Sequence, residues 1–350
     1  MKYAKTIILG VLASLRLSVV PTFGAGETVR LAEGVYARIV EPDSEAVSNA
    51  GFVVLEDGVL VFDTHASPAA GEALRAEIRA ATARSVRYVV NSHFHPDHTH
   101  GNQAFAAASV EVIASAPTRR DVLQRDIPAM NRSLSVAQSQ IERLRKDLPA
   151  AKAPADQAAL RDQIGQRQKF IDRLAGLRIV PPLVALENRL DVVAGARTVR
   201  LLCLGKGHTE GDIVAVVPDA RVAFVGDLFF NSALPAAQDA FLLDWSATLG
   251  ALLELDVDTF VPGHGPAGTK EDVRRFRRYL DDLKALVEAS VSRGLSMEAT
   301  VRDTRVPGEY ARFRFQSFFP ANVQKMYTEL KAQEPPPAPE PAKKAAPAKP

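Results

Sequence analysis

Short apolar runs separated by turn residues recur along most of the chain and predict alternating strands and helices. Residues 51–55 and 59–63 are β-rich runs on either side of a Glu-Asp-Gly turn, which is a typical hairpin sequence. Residues 72–81 have helical spacing, and the β-rich run at 87–91 completes a β–α–β unit. This pattern predicts sheets covered by outer helices. Further strands are predicted at 110–114, 197–204, 213–217, 221–225 and 259–261, and further helices at 245–255 and 271–292.

Between residues 117 and 178 the pattern becomes helical. Apolar residues from Ile127 to Leu148 alternate spacings of three and four, as in a heptad seam. Residues 149–154 begin and end with proline and break this seam, and a second helix with apolar positions follows at 160–174. We therefore predict an antiparallel helical hairpin inserted into the main fold. It either packs on itself and the body of the protein, covers a functional site as a lid, or forms a homodimer contact.

The N-terminal pattern, at residues 1–26, is typical of an export signal. Lys2 and Lys5 precede an apolar stretch at 6–15, and small residues follow at 22–26. The apolar stretch is shorter than the roughly 20 residues that span a bilayer. We therefore expect a periplasmic or secreted protein without stable membrane insertion after signal cleavage. The alternatives are a short membrane anchor and a cytoplasmic protein with an apolar start.

Composition narrows the functional classes. The chain has 350 residues, of which 47% are hydrophobic and 24% charged, so it can bury a large core. A net charge of +2 with interspersed signs gives no basic stripe of the kind that nucleic-acid binding requires. The single cysteine, Cys203, permits no intramolecular disulfide. Residues 333–350 are rich in Pro, Ala and Lys and are predicted to be a disordered tail, because they bury too little apolar surface.

Six of the seven histidines fall at three short sites, and the first site, residues 93–100, begins with His-Phe-His-Pro-Asp-His. In an extended segment His93 and His95 point to the same side, because strand side chains alternate. A following helical turn aims Asp97 and His98 at a neighbouring point. The motif therefore predicts two adjacent metal sites that need further ligands from later in the chain.

Three later segments offer those ligands. His208, Asp227 and His264 each come with a β-rich run, so all three can gather at one edge of a sheet. Imidazole and carboxylate groups suit zinc, although they do not exclude iron or manganese. His65 and His100 are not expected to be ligands, because seven positions already fill two sites.

The ordered set of motifs resembles that of metallo-β-lactamase-fold hydrolases over roughly residues 28–290. The resemblance implies an α/β fold, a four-layer αβ/βα sandwich, for one domain at residues 27–332 with the hairpin at 117–178 inserted. It also implies two zinc ions per chain, with Asp227 bridging them. The residues that would hold the first ion are His93, His95 and His208, and those that would hold the second are Asp97, His98 and His264.

Two aspartates have alternative roles that the sequence leaves open. Asp63 belongs to the earliest matching motif, and it either orients a ligand histidine from outside or fixes the loop after its strand. Asp227 either bridges the metals or caps the helix that follows it.

The resemblance also narrows the chemistry. Asp227 stands near where some lactamases place a cysteine ligand, so the set is more similar to that of glyoxalase II and lactone-hydrolysing relatives. Two metal ions lower the pKa of a shared water from about 15.7 toward about 7, and the bridging hydroxide would attack an ester, thioester, lactone or amide carbonyl of a small acyl substrate. Asp97 is the candidate catalytic residue that orients this nucleophile. The alternatives are a β-lactam-degrading amidohydrolase and a non-catalytic metal-binding or redox-relay accessory protein.

Overall fold

The computed structural model describes residues 19–20, 26–41, 44, 46–174 and 176–333. Apart from a few residues at their inner ends, the predicted export signal at 1–26 and the predicted tail at 333–350 lie outside this part. The strands are β1 Val19–Val20, β2 Gly26–Ala32, β3 Val35–Val40, β4 Ala50–Val54, β5 Val59–Phe62, β6 Val86–Val90, β7 Glu111–Ser115, β8 Val184–Leu186, β9 Arg189–Ala194, β10 Arg197–Leu202, β11 Val214–Val217, β12 Val222–Phe230 and β13 Thr259–His264. The helices are α1 Pro68–Ala81, α2 Pro96–Thr99, α3 Ala116–Asp121, α4 Ile127–Asp147, α5 Pro154–Leu174, α6 Leu242–Leu253, α7 Lys270–Ser292, α8 Met297–Asp303 and α9 Phe319–Gln333.

These strands form two sheets. The first has eight strands in the order β1 to β8, antiparallel as far as β5 and parallel from β5 to β8. The second has five strands in the order β13-β12-β11-β10-β9, and only β12 and β13 are parallel there. Because parallel strands end at the same edge of a sheet, the segments that follow β5 and β6 lie side by side.

Alternation along the strands produces the layers. In β12, Val222 and Phe224 pack between the two sheets, whereas Ala223 and Val225 face the helices on the outer side. Helices α6 and α7 cover that outer face, and α9 packs against both of them. On the other side, Leu74 of α1 packs on the outer face of the first sheet. The predicted α/β four-layer sandwich is therefore confirmed.

The predicted helical hairpin is present as α4 and α5, which pack against each other. Helix α4 buries Ala137 and Ile141, both on the predicted heptad seam. The second helix begins at Pro154, because proline is well suited to the first turn of a helix. The lid and homodimer interpretations stay predictions.

The base of the hairpin is anchored beside the metal motif. Helix α3 continues through a π-helical stretch, Val122–Asp126, into α4. Val122 packs with Phe94 and Ile179 in a small apolar cluster. Because Phe94 lies between His93 and His95 in sequence, the inserted segment contacts the chain that carries two candidate ligands.

The C-terminal region adds two helices, α8 and α9, that the apolar pattern did not lead us to predict. Helix α9 buries Phe319, Val323 and Met326 and packs against α6, α7 and α8. None of the helices in the described residues has the length and apolarity that a membrane span requires.

Candidate metal centre

The 93–98 motif changes from extended to helical backbone as predicted. His95 has extended dihedral angles (φ −65°, ψ 146°), and Pro96 begins helix α2. Asp97 and His98 therefore project from a helical turn, directly after the extended segment that carries His93 and His95. This local change of conformation brings four candidate ligands to one edge of the first sheet.

The first group of candidate ligands consists of three histidines and one aspartate. The Nδ1 atom of His95 lies 3.0 Å from Nε2 of His93 and 2.9 Å from Nε2 of His208. Oδ2 of Asp227 lies 3.2 Å from Nε2 of His208. All four donor atoms lie within 4.8 Å of one another, which is close enough to surround one cation.

The second group consists of Asp97, His98 and His264, whose donor atoms also lie within 4.8 Å of one another. Oδ2 of Asp97 lies 3.5 Å from Nε2 of His98 and 3.3 Å from Nε2 of His264. Asp227 faces this group as well, because its Oδ1 lies 3.2 Å from Nε2 of His98 and its Oδ2 3.5 Å from Nε2 of His264.

The geometry explains how β12 presents Asp227 to both groups. The register of β12 is irregular at Gly226, which has a φ of 51° directly before Asp227. A Cβ atom at Gly226 would lie 2.5 Å from the Cβ of Ser92, so glycine is required by both the dihedral angle and the space. Asp227 lies inside β12, so the alternative that it caps a following helix does not describe its position.

Three candidate ligands are oriented by bonds from their outer ring nitrogens. Ser92 Oγ lies 2.9 Å from Nδ1 of His93, and Asp63 Oδ2 lies 2.8 Å from Nδ1 of His98. Asp239 Oδ2 lies 3.0 Å from Nε2 of His95. Such bonds fix the tautomer and the direction of a metal-binding imidazole. The sequence did not lead us to Asp239, because it lies 144 residues from His95 in a loop without a recognisable motif.

Of the two roles that the sequence left open for Asp63, the structure shows the bond to a candidate ligand histidine, and the loop that Asp63 holds follows β6 rather than its own strand, β5. Its Oδ1 accepts a hydrogen bond from the backbone N–H of Ser92 at 2.7 Å, while Oδ2 bonds His98. The residue is buried and has a φ of 59°, a conformation that non-glycine residues rarely adopt. Asp63 therefore fixes the loop after β6 and orients His98 at the same time.

The protonation states of the first group suit a metal. Burial lowers the pKa of His93 well below its usual value and that of His208 to about 3, so both are neutral. Burial opposes ionisation of Asp227, but His264 and His98 hold the pKa of its carboxyl well below the usual range. Neutral imidazole and ionised carboxylate are the forms that bind metal ions.

The second group holds ion pairs where a metal would bind. Burial disfavours a charged His264, yet Asp227 and Asp97 raise its pKa to about 9. Burial likewise opposes protonation of His98, and Asp97, Asp227 and Asp63 nevertheless raise its pKa well above its usual value. A cation entering this group would displace those protons.

Unsatisfied polar atoms show that the residues fit a bound cation. Within the part of the chain that the structure describes, the buried atoms Nε2 of His98 and Oδ1 of Asp227 make no hydrogen bond. Buried polar atoms are normally paired, and these two, one from each group, lie 3.2 Å from each other. The nitrogen and oxygen donors match the preferences of zinc. The residues therefore fit two metal ions, and each residue's role as a ligand stays a prediction.

The two remaining histidines lie outside both groups. Nδ1 of His65 lies 2.8 Å from the backbone oxygen of Ser48, and burial lowers the pKa of His65 to about 3. Nε2 of His100 lies 3.2 Å from a carboxylate oxygen of Asp126, at the base of the hairpin. Neither belongs to the clusters of potential ligands found among the described residues.

Three of the seven candidate ligands are partly exposed to solvent. The exposed side-chain fraction is 23% for Asp97, 20% for His95 and 10% for His264, against 4% for Asp227. His93, His98 and His208 are buried. Asp97, His95 and His264 are therefore the candidate ligands that are open to solvent.

A glycine beside the centre allows a direct test of its packing. A Cβ atom at Gly263 would lie 1.8 Å from Oδ1 of Asp227, so Gly263→Ala must displace that carboxylate. We expect a lowered zinc content, measured by metal analysis, together with a loss of stability of about 1–3 kcal/mol from overpacking.

Gly250→Ala is the matched control for this substitution. Gly250 lies in α6, where the nearest atom to an added Cβ is 3.5 Å away, so alanine fits and zinc content should not change. Equal zinc content in Gly263→Ala and the control would contradict the placement of Asp227.

Comparison with known proteins gives a match to one family profile and matches to individual proteins. A sequence profile described as the metallo-beta-lactamase superfamily matches residues 44–264. A linear primary-alkylsulfatase from Pseudomonas sp. (strain ATCC 19151) is 24% identical over 279 residues, covering 73% of this chain and 50% of that protein. A metallo-beta-lactamase type 2 from Bacillus sp. (strain 170) is 31% identical over 94 residues, covering 25% of this chain and 37% of that protein. The chain thus spans half or less of the length of the curated relatives that it matches.

Solved structures agree on the fold. The sec-alkylsulfatase Pisa1 from Pseudomonas sp. has a TM-score of 0.60 at 14% identity, covering 86% of this chain and 49% of that chain. A metallo-beta-lactamase from Erythrobacter litoralis has a TM-score of 0.52 at 18% identity, covering 76% of this chain and 100% of that chain. At these identities the likeness shows the fold alone.

Proposed function

The chain belongs to the metallo-β-lactamase superfamily of metal-dependent hydrolases, and from this premise we propose a binuclear zinc hydrolase that cleaves an ester, thioester, lactone or amide bond. The observation that carries the proposal is the position of the Asp227 carboxylate. One of its oxygens lies 3.2 Å from His208 of the first group, and the other lies 3.2 Å from His98 of the second. A carboxylate shared in this way supports two cations at neighbouring positions.

A pair of bound zinc ions supplies a water that is acidic enough to give hydroxide near neutral pH and a Lewis acid for the carbonyl oxygen. The residues of the chain position the reactants around it. Asp97 is the most exposed of the seven candidate ligands, so its carboxylate can accept a hydrogen bond from the attacking water. His95 and His264 are the other partly exposed candidate ligands, so they would lie beside a carbonyl group that reaches the centre.

A covalent intermediate on the protein is not part of the proposal. Burial raises the pKa of the Cys203 thiol to about 11, so the nucleophilic thiolate is scarce at neutral pH. Cys203 also belongs to neither cluster of potential ligands found among the described residues. Direct attack by water, oriented by Asp97, is therefore the proposed route.

Hydrolysis of sulfate esters is a second candidate function. The observation that favours it is the match to an alkylsulfatase over 279 residues, which exceeds the 94 residues matched by a metallo-beta-lactamase. β-Lactam hydrolysis is the third candidate, and the shorter match and an aspartate at position 227 make it weaker.

A substrate panel on the zinc-loaded protein tests these proposals. The panel contains carboxylic esters, thioesters, lactones, the β-lactam nitrocefin and alkyl sulfates, and the chelator-treated protein is the control. We expect about two zinc ions per chain and turnover of at least one ester, thioester or lactone. Turnover of alkyl sulfate or nitrocefin alone would replace the proposal by the corresponding alternative. Two bound zinc ions without any turnover would favour a non-catalytic accessory role.

A further inference from the structure

The imidazole of His95 is held from outside by a residue far away in the sequence. Its Nε2 lies 3.0 Å from Oδ2 of Asp239, so this nitrogen is the protonated one and donates a hydrogen bond to the carboxylate. The lone pair of Nδ1 then points into the first group, 2.9 Å from Nε2 of His208. Asp239 thus sets both the tautomer and the direction of one candidate ligand.

Asp239 is held in turn by the inserted segment. The guanidinium of Arg125 donates a hydrogen bond to Oδ1 of Asp239, leaving Oδ2 for His95. Arg125 belongs to the π-helical stretch Val122–Asp126 at the base of the hairpin. Its guanidinium also lies 4.5 Å from the ring centroid of Phe94, the neighbour of His95. Arg125 of the insert therefore contacts two neighbours of His95, namely Asp239 and Phe94.

We propose that the base of the inserted segment is a positioning element of the metal centre: Arg125 orients Asp239, and Asp239 orients His95. The insert thereby sets the affinity of the three-histidine group for its cation. This inference rests on the proposed function only in requiring that the group binds a metal ion. It assigns the insert a role different from that of a lid or a homodimer contact.

Folding stability alone does not explain this arrangement. The side chain of Arg125 is 47% exposed and that of Asp239 is 27% exposed. Ion pairs at such exposed positions contribute little to stability, because solvent screens them and ordering the side chains costs entropy. A purely structural role therefore predicts similar effects for any exposed pair between the insert and the body.

A second ion pair between the insert and the body, Arg120 with Glu210, is a matched control for Arg125 and Asp239. A cavity of about 360 Å³ beside His95 is lined by both Arg125 and Arg120 of the insert, and by both Asp239 and Glu210 of the body. Arg120 lies 2.8 Å from Glu210 and is 44% exposed, close to the value for Arg125. Glu210 pairs with Arg120 and Lys206 rather than with a histidine. The two pairs thus differ mainly in whether they reach a candidate ligand.

The experiment compares Asp239→Ala, Asp239→Asn and Arg125→Ala with the controls Glu210→Ala and Arg120→Ala in the full chain. The zinc dissociation constant is measured by competition with a chelator, and the visible spectrum is recorded after cobalt substitution. Thermal unfolding of the metal-free proteins checks the fold. These readouts do not depend on knowing the substrate.

Asp239→Ala is expected to weaken binding of the first zinc ion by about 10–100-fold and to change the cobalt spectrum. Asp239→Asn keeps an oxygen acceptor for His95, so the loss should be smaller. Arg125→Ala should also weaken binding, whereas both controls should bind zinc as the unmodified chain does. Unchanged affinity and spectrum in Asp239→Ala and Arg125→Ala would overturn the inference, and so would equal losses in the controls.

The two proposals fail separately. Selective loss of zinc affinity in the Asp239 and Arg125 variants supports the positioning role even if no substrate of the panel is cleaved. Conversely, hydrolysis combined with unchanged affinity in these variants supports the proposed function and overturns the positioning role.

Discussion

Replacing Asp97 with alanine is expected to lower kcat/KM for the cleaved substrate by about 10²–10⁴-fold, the range typical of a residue that positions or accepts a proton. The carboxylate lies 3.5 Å from His98 and 3.3 Å from His264, and it is also the candidate ligand most open to solvent. The substitution thus removes a donor from the second group and the acceptor for the attacking water. Steady-state kinetics at saturating zinc measures the loss.

Asp126→Asn is the control for this substitution. Asp126 also bonds a histidine of the same segment, His100, but neither residue belongs to the groups of candidate ligands. The Asp97 side chain lies at the mouth of the centre and outside the apolar clusters, so Asp97→Ala should keep its cooperative thermal unfolding. Full activity in folded Asp97→Ala would contradict the assignment of its role.

Two periodicities of the sequence, the alternation of strands and the heptad spacing of helices, were enough to predict most of the fold. Alternation in β12 separates Phe224, between the sheets, from Val225, under the outer helices. The heptad spacing located Ile141 on the buried side of α4. These patterns are local consequences of burial on one face, and for that reason they can be recognised without tertiary information.

Helix α9 could also have been recognised. Phe319, Val323 and Met326 are buried and stand at spacings of four and three, which is the signal of an amphipathic helix. The segment between α8 and α9 contains short turns and no such spacing, so the helical pattern of α9 is separated from that of the preceding helices.

Contacts across the centre could not be predicted in this way. Asp239 reaches His95 over 144 residues, and its loop has neither periodicity nor a metal-binding motif. Asp63 lies in a recognisable motif, but only the fold reveals that its carboxylate forms hydrogen bonds with both Ser92 and His98. Such long-range hydrogen bonds depend on how the strands are arranged, which local sequence does not encode.

Additions to the sandwich meet the centre from opposite sides. The insert reaches His95 through Arg125 and Asp239. From the C-terminal region, the ring of Phe315 lies 5.8 Å from that of His264, in a residue with a φ of 61°. The insert and the C-terminal region therefore each contact a candidate ligand, His95 of the first group and His264 of the second.

Zinc is expected to raise the free energy of unfolding by about 4 kcal/mol when its concentration is 1,000 times the dissociation constant. The physical reason is that the folded chain assembles donors from β12, β13, α2 and two loops, whereas the unfolded chain holds them apart. Thermal unfolding with zinc and with a chelator measures the difference, on the order of 10 °C for a domain of this size.

His208→Ala should abolish most of this zinc-dependent difference, and hydrolysis with it. Nε2 of His208 lies 2.9 Å from Nδ1 of His95 and 3.2 Å from Asp227, so its loss leaves the first group without a central donor. His100→Gln is the control, because His100 is buried beside the motif but bonds Asp126 instead. That control can lower stability with and without zinc alike, so only the difference between the two conditions is diagnostic. A difference as large in His208→Ala as in the unmodified chain would show that zinc binds elsewhere.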